Sequence, residues 1–334
     1  MQGGSSVTFD AATLLSNVGL YAIGGGQILF PAATSYTGYN YGDTAIEASG
    51  AGSWIDLSSL ATFYGGGEYS DSHGYGHYYT TYVNALAGGK VDLAGAVSHR
   101  NVITVDGAES VLGVAGITKL GGTVLTINTP GTLTFTTATE VTDSNLTAPT
   151  DVALAFTGAT KLQSVNLTAT GGGQILFPVA VSYMRNDYGD TVIQASGVGS
   201  RIDLSHLSTF EGGGQYWDGH GYGHYYTTYV KALAGGEVDL SGVLSANGYG
   251  NSITVDGAGS ELQVTGVTSL AATSVTVQGG SSVTFDAATL LSNVGLYAIG
   301  GGQILFRRRA TRGTTTGTRR SRRVGRAAGS ICRV

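Results

Sequence analysis

The sequence predicts an all-β protein, a parallel β-helix or β-solenoid with turns of about 21 residues, loop insertions and almost no helix. Three observations predict this fold. A three-residue apolar pattern recurs at a nearly fixed spacing, glycine-rich segments separate its copies, and one whole turn is missing between two long repeats. A short fixed period is typical of solenoids, in which each turn buries its apolar face against its neighbours.

The recurring pattern is apolar–any–apolar, and its outer residues are aliphatic or aromatic in every copy. Its central residues are Thr8, Leu29, Asp56, Asp92, Gly113, Thr134, Ala155, Leu176, Asp203, Asp239, Gln263, Thr284 and Leu305. Most spacings are 21 residues, and the exceptions are 24, 27 and 36. Since successive side chains of a strand point to opposite faces, the outer pair faces a core and the central residue faces solvent. One turn then holds two or three short strands.

The segments between the apolar runs are suited to tight corners. The 334 residues include 55 glycines but only 4 prolines, and glycine tolerates positive φ. No long stripe with a period of about 3.6 residues indicates a helix. A right-handed solenoid is expected because β-crossovers strongly prefer that hand. The alternative fold is an antiparallel sandwich or barrel of regular hairpins.

A longer repeat, made of several of these short ones, is also present. Residues 1–306 are interpreted as a single β-solenoid made of repeats 24–170 and 171–299 and a partial copy, 300–306. Each begins with Gly-Gly-Gly-Gln-Ile-Leu-Phe, and the turn centred on Ala155 has no counterpart in the second repeat. Loss of one turn leaves the packing of a rod intact, whereas a globular core would not permit it.

The turns of 27 and 36 residues carry insertions of about 6 and 15 residues that are rich in Tyr, Gly and His. These insertions are expected to project from adjacent turns on one face of the rod, where loops carry function. Tyrosine and tryptophan rings can stack on sugar faces, because they offer an apolar plane and a polar tip. The candidate ligand-binding residues are Tyr36, Tyr39, Tyr41, Tyr75, Tyr78, Tyr222 and Trp217, with Tyr79 and Tyr82 beside them. The alternative is that these rings pack the loops onto the rod.

The long insertions also contain histidines and aspartates at repeated spacings. The candidate metal ligands are Asp71, His73 and His77 in the first repeat and Asp218, His220 and His224 in the second. Imidazole and carboxylate groups are ligands for Zn²⁺ and other transition metals. The alternative is a polar loop, because a His-x-x-x-His pair meets a metal mainly on a helix and the glycines here oppose one. The fold requires no cofactor.

We expect no enzymatic activity, and the alternative is a polysaccharide lyase or hydrolase. Some β-helices hold Ca²⁺ with acidic clusters and remove a proton with a basic residue. The residues that would serve are Asp56, Lys90 and Asp92, echoed by Asp203, Lys231 and Asp239. Solvated aspartates on the outside of an acidic rod are the simpler interpretation.

The last segment, 307–334, differs abruptly from the rest. It holds ten of the 17 basic residues and Cys332, the single cysteine. Codons for Asp43–Ala48 read from the second base give Thr-Arg-Arg-Ser-Arg-Arg, the text of 318–323, so we interpret the segment as frameshifted and disordered; resequencing the gene tests this. Residues 1–306 then carry 7 basic and 22 acidic residues, a net charge of −15. This balance argues against a nucleic-acid partner.

Segments such as Gly131-Thr-Leu-Thr-Phe135 and Gly89-Lys-Val-Asp-Leu93 carry a family resemblance. The chain resembles the β-solenoid passenger regions of bacterial autotransporter-type and filamentous-haemagglutinin-type surface proteins. The resemblance implies export, an extracellular or cell-surface location, a structural or adhesive role, and glycans or other surface proteins as partners. It supplies no catalytic residues.

The two ends repeat each other, since residues 2–30 are identical to 278–306. We therefore interpret the chain as a fragment of a larger exported protein, whose signal peptide is expected outside it. No run of 18 apolar residues indicates a membrane span. Uncapped solenoid ends expose strand edges, which predicts end-to-end self-association.

Overall fold

The computed structural model describes residues 3–307. The Arg-rich segment from residue 308 onward and Cys332 therefore lie outside the described residues. Within the described range the chain forms strands and no helix, so none of it is a helix able to cross a membrane. The predicted all-β parallel solenoid is confirmed, and its hand stays a prediction.

The strands, in chain order, are β1 (Ser6–Thr8), β2 (Leu14–Ser16), β3 (Leu20–Ile23), β4 (Gln27–Leu29), β5 (Ser35–Thr37), β6 (Thr44–Ser49), β7 (Trp54–Leu57), β8 (Thr62–Tyr64), β9 (Glu68–Ser70), β10 (Gly76–Tyr78), β11 (Thr81–Leu86), β12 (Lys90–Ser98), β13 (Asn101–Asp106), β14 (Val111–Gly121), β15 (Thr123–Ile127), β16 (Gly131–Phe135), β17 (Glu140–Thr142), β18 (Asn145–Ala148) and β19 (Val152–Phe156). They continue as β20 (Lys161–Gln163), β21 (Asn166–Thr170), β22 (Gln174–Leu176), β23 (Ser182–Met184), β24 (Thr191–Ser196), β25 (Arg201–Asp203), β26 (Thr209–Gly212), β27 (Gln215–Trp217), β28 (Gly223–Tyr225), β29 (Thr228–Leu233), β30 (Glu237–Asp239), β31 (Ser245–Gly248), β32 (Asn251–Asp256), β33 (Glu261–Gln263), β34 (Ser269–Gln278), β35 (Ser282–Phe285), β36 (Leu290–Ala298) and β37 (Gln303–Phe306).

Each turn contributes one strand to each of three parallel ladders. The first ladder pairs β1–β4–β7–β12–β14, then β16–β19–β22–β25–β30–β33, then β35–β37. The second runs β2–β5–β8–β12–β14–β17–β20–β23–β26–β31–β34–β36. The third runs β3–β6–β11–β13–β15–β18–β21–β24–β29–β32–β34–β36. The longer strands β12, β14, β34 and β36 pass through a corner and belong to two ladders.

The triplet pattern sets the register of the first ladder. The central residues pair with one another from turn to turn, as in Thr8 with Leu29 and Asp56 with Asp92. The flanking apolar residues therefore stack on their own counterparts inside the rod. Three phenylalanines of the core show the result: Phe156 lies between Phe135 and Phe177, with ring centroids 4.3 and 4.7 Å away. Each added turn extends one continuous core by a strand spacing of ~4.8 Å.

A serine closes the corner between the third and first ladders. The Ser200 hydroxyl donates to the Ser196 carbonyl at 2.7 Å and accepts the amide of Gly172 in the preceding turn at 3.0 Å. Ser53, with the same geometry in the first repeat, bonds to Ser49 and Gly25. The hydroxyl thus satisfies two backbone groups that the sharp corner removes from the ladders.

The corner between the second and third ladders has two forms. In most turns without insertions one residue with positive φ reverses the chain, as at Gly122, Asp143 and Ser164, and at one such corner two residues, His99 and Arg100, have positive φ. In the other form that residue is replaced by a longer segment: residues 38–43 and 185–190, or the hairpins described below. Since the ladders on both sides keep their register, these insertions leave the core unchanged.

The phenylalanine stack generates a stability prediction. Phe156→Ala should lower the free energy of unfolding by ~3–5 kcal/mol, because it opens a cavity between two rings that are held by the ladders. Phe9→Ala is the control: Phe9 is 45% exposed and stacks on a single ring, Phe30, so its loss should cost only ~1–2 kcal/mol. Urea unfolding followed by circular dichroism measures both, and equal losses would contradict the stacked core.

Candidate functional site

The insertions form two groups on one corner of the rod. The first group is the loop 38–43 with the first hairpin, residues 65–80, which contains antiparallel β9 and β10. The second group is the loop 185–190 with the second hairpin, residues 213–227, which contains antiparallel β27 and β28. Both hairpins connect the second ladder to the third.

Each loop packs against its own hairpin. Tyr41 contacts Tyr69 with ring centroids 4.9 Å apart, and Asp43 accepts the amide of Thr80 at 2.9 Å. In the second group Tyr188 contacts Tyr216 at 5.1 Å, and Asp190 accepts the amide of Thr227 at 2.7 Å. Each loop and its hairpin therefore form one packed unit.

Glycines form the base of both hairpins. A Cβ at Gly66 would overlap the carbonyl oxygen of Tyr79, and one at Gly214 would overlap that of Asn186. Gly66 therefore permits the two ends of the first hairpin to approach each other, and Gly214 permits the second hairpin to approach loop 185–190.

Most candidate ligand-binding rings lie on these units and reach solvent. Tyr75 and Tyr222, at the hairpin tips, are each 71% exposed. The other exposed candidates are Tyr39, Tyr41, Tyr78 and Trp217. Tyr82 is partly exposed but belongs to β11 in the third ladder. The rod thus displays two groups of rings with apolar faces and polar tips.

Tyr36 is a correction to the sequence prediction. Its side chain is 0% exposed and stacks on Phe63 at 4.6 Å, because it occupies the inward column of the second ladder. The hydroxyl donates to the Val18 carbonyl at 3.1 Å, and burial raises the pKa of Tyr36 to about 12. Tyr36 is a core residue and cannot meet a ligand.

The aspartates of the histidine motifs organise the hairpin tips. One oxygen of Asp71 accepts the amides of His73 and Tyr75 at 2.9 and 3.0 Å, and the other lies 3.5 Å from His77 Nε2. Asp218 holds His220, Tyr222 and His224 in the same way. These hydrogen bonds, the tyrosine amide first, lower the pKa of each aspartate.

The motifs bring an aspartate and one histidine together in each hairpin. The His73 ring instead lies 3.5 Å from the Ser72 hydroxyl. Within residues 3–307, no group of three or more histidine, cysteine, aspartate or glutamate side chains is placed to hold a metal ion. Asp71 and His77, with Asp218 and His224, are the pairs on which the metal prediction now depends.

The aspartates considered for catalysis pair across the first ladder. Asp56 and Asp92 are register partners, and Asp92 forms an ion pair with Lys90 at 2.7 Å. Asp92 also accepts the indole N–H of Trp54 at 2.7 Å, and the Lys90 ammonium lies over the Trp54 ring. The lysine is thereby engaged as a structural cation.

The second repeat builds the same position from different residues. Arg201 contacts Glu237 at 2.8 Å, Asp203 at 3.3 Å and Asp239 at 3.4 Å. Asp239 is only 5% exposed, so this central residue departs from the outward pattern expected for it. Burial raises the pKa of Glu237. Lys231 is not part of this cluster, because it lies in the third ladder over the Tyr229 ring.

A cleft beside the first hairpin was missed by sequence reasoning. It has a volume of about 660 Å³ and is lined by residues including Thr80, His99, Arg100 and Asp143. The lining residues come from four successive turns, so no local motif marks them. The available signal was Arg100, a basic residue in an acidic body that follows the longest insertion by one turn.

Comparison with known proteins adds a likeness to a solved structure. No family model matches the chain, and no curated protein matches it. The chain is similar to the crystal structure of the TibC-catalyzed hyper-glycosylated TibA55-350 fragment. The alignment covers 92% of this chain and 97% of that fragment, with 14% sequence identity and a TM-score of 0.30. The fold assignment rests on the strand register described above.

The hairpin tips generate a pH prediction. Because Asp218 has a pKa below its ordinary 3.8, its stabilisation of the tip is complete above that pH and is lost as pH falls through the lower, folded-state pKa. In isotope-labelled protein the amide shifts of His220 and Tyr222 should titrate below pH 3.8. Asp218→Asn should abolish this titration and leave that of the Asp71 hairpin intact. A midpoint above 3.8 would sink the prediction.

The Arg201 cluster generates a second stability prediction. Arg201→Ala should lower the free energy of unfolding by ~2–3 kcal/mol, because it leaves the buried Asp239 carboxylate without its cation. Lys161→Ala is the control: its pair with Glu140 spans 3.6 Å at an exposed position and should be worth less than ~1 kcal/mol. Thermal and urea unfolding measure both, and the idea fails if Arg201→Ala costs no more than the control.

Proposed function

We propose that this chain is a structural and adhesive segment of an exported surface protein. Its three ladders form a rigid rod, and its two hairpins present exposed aromatic rings to a partner. Glycans are the partner class that these rings favour, because tyrosine and tryptophan offer sugars an apolar face beside a hydrogen-bonding tip.

One observation carries the proposal: both hairpins leave the same corner, with Tyr75 and Tyr222 equally exposed at their tips. The first hairpin belongs to the turn that contains β7, and the second belongs to the turn that contains β25. In the first ladder β25 is the sixth strand after β7. Six strand spacings separate the hairpins by about 29 Å. Two weak contacts on a rigid spacer gain avidity when a surface offers both ligands at once.

A polysaccharide-cleaving activity is less well supported. Removal of a proton needs a free base close to the reacting sugar. Lys90 is ion-paired with Asp92 at 2.7 Å, and Lys231 lies over the Tyr229 ring in the third ladder rather than beside Asp203 and Asp239. The outer face of the first ladder therefore supports a structural role.

Adhesion is tested with the two tip tyrosines. We expect the full chain to bind immobilised glycans or cells, and the Tyr75→Ala/Tyr222→Ala double variant to lose at least ~10-fold in affinity, since each exposed ring contributes about 1 kcal/mol or more. Each single variant should retain monovalent binding. Tyr297→Ala, an exposed tyrosine of β36 in the last described turns, is the control that should bind like the parent. Unchanged adhesion of the double variant would refute the role of the hairpins.

A further inference from the structure

The cleft of about 660 Å³ lies against the side of the first hairpin that faces the second. Thr80 lines the cleft at the base of the hairpin, and the corners of the next three turns, at Arg100, Gly122 and Asp143, line the rest of it. The cleft exists because a long insertion is followed at once by corners of minimal length. Its volume is within the range of small-molecule sites.

Arg100 supplies a free positive charge to this cleft. Five of the seven basic residues in residues 1–306 are ion-paired with carboxylates: Lys90, Lys119, Lys161, Arg185 and Arg201. Among the described residues, Arg100 has no carboxylate within ion-pair distance, and its guanidinium lies 3.9 Å from the centre of the Tyr78 ring. The ring holds the planar cation in place without neutralising it.

His99, the residue before Arg100, lines the same side of the cleft. The His99 ring stacks on Tyr64 at 4.0 Å. His99 and Arg100 both have positive φ, 59° and 41°, where Gly122 and Asp143 in the following turns each do so alone. Two successive side chains in the left-handed region cost conformational energy, and such strain concentrates at binding sites. In this backbone conformation both His99 and Arg100 line the cleft.

The opposite side of the cleft offers hydrogen-bond acceptors. Asp143 is exposed there and has no ion-pair partner among the described residues. The pairing of Asn101 with Thr123, and of Val124 with Asn145, places Asp143 two strand spacings from Arg100. That separation is about 10 Å along the rod, enough for one sugar ring between the two side chains.

The geometry points to a binding site for an acidic saccharide unit. The guanidinium of Arg100 takes the carboxylate of the sugar in a bidentate pair, and Asp143 accepts its hydroxyl groups. This inference rests on the proposed glycan-directed adhesion and names the ligand class. The acidic body, with a net charge of −15 over residues 1–306, repels long polyanions, so the ligand carries an isolated carboxylate within an otherwise neutral glycan.

The second hairpin lacks this site. At the corresponding corner Gly250 stands where the first repeat has Arg100, because Asn251 pairs with Thr228 as Asn101 pairs with Thr81. The nearby Arg185 is paired with Asp187 at 2.8 Å and with Glu211 at 3.4 Å. Arg185 also lies over the Tyr249 ring. Selectivity for the acid therefore belongs to the first hairpin, although both hairpins carry aromatic rings.

Calorimetry on the full chain tests the site. The probes are an oligosaccharide with one hexuronate unit and the same oligosaccharide with its carboxyl group reduced to an alcohol. The parent chain should bind the acid at least ~10-fold more tightly than the alcohol, and Arg100→Gln should remove that preference. Lys231→Gln is the matched control, because within residues 3–306 it removes the other cation without a carboxylate partner, on the third ladder, and should leave binding unchanged. Circular dichroism establishes that each variant is folded.

The outcomes separate this site from the adhesive role. Equal affinity for acid and alcohol, or an equal loss in Lys231→Gln, overturns the inference, and so does a glutamate-rich peptide that binds as tightly as the saccharide. An acid preference that depends on Arg100 supports it, even if the Tyr75→Ala/Tyr222→Ala variant adheres normally and the hairpin tips are shown to have no part in adhesion. Adhesion that needs the tips but shows no acid preference leaves the rod adhesive and rejects the site.

Discussion

The stacking of each residue on its own counterpart in the next turn is the interaction on which this structure depends. Parallel pairing brings Phe156 between Phe135 and Phe177 and sets Asp56 beside Asp92. The side chains of the core and those of the outer surface therefore follow the same strand register. A slip of one residue would turn the apolar pairs outward in every strand. The core therefore fixes where every corner lies, and the corners fix where both hairpins leave the rod.

The sequence carries most of the fold because its period and its alternation describe the same register. The triplet centres pair as their spacing requires, even across the 36-residue turns, since insertions at a corner do not disturb a ladder. The site was less accessible. Tyr36 stands at the edge of an insertion, yet it continues an inward column with Leu15 and Phe63 that only the ladder reveals. The Arg100 cleft joins residues from four successive turns, which no local pattern connects.

The two long repeats show how an outer position changes without changing the backbone. Where the first repeat has Trp54 and Lys90, the second has Arg201 and Glu237, in the same register. The cation of the second repeat lies one strand earlier in the ladder than that of the first, and Asp92 or Asp239 is paired in both cases. On the outer surface of a ladder, charged residues in neighbouring turns can therefore be replaced together, whereas the inner columns accept mainly apolar residues.

The orientation of the ladders has a mechanical consequence. The strands run across the rod, so their hydrogen bonds lie along its axis and a pull from either end loads one turn at a time. Each turn of about 21 residues that peels away releases about 70 Å of extended chain. A tether of this kind yields in steps and keeps the remaining turns folded, so a hairpin held by its ligand would stay presented while the stalk behind it lengthens under shear.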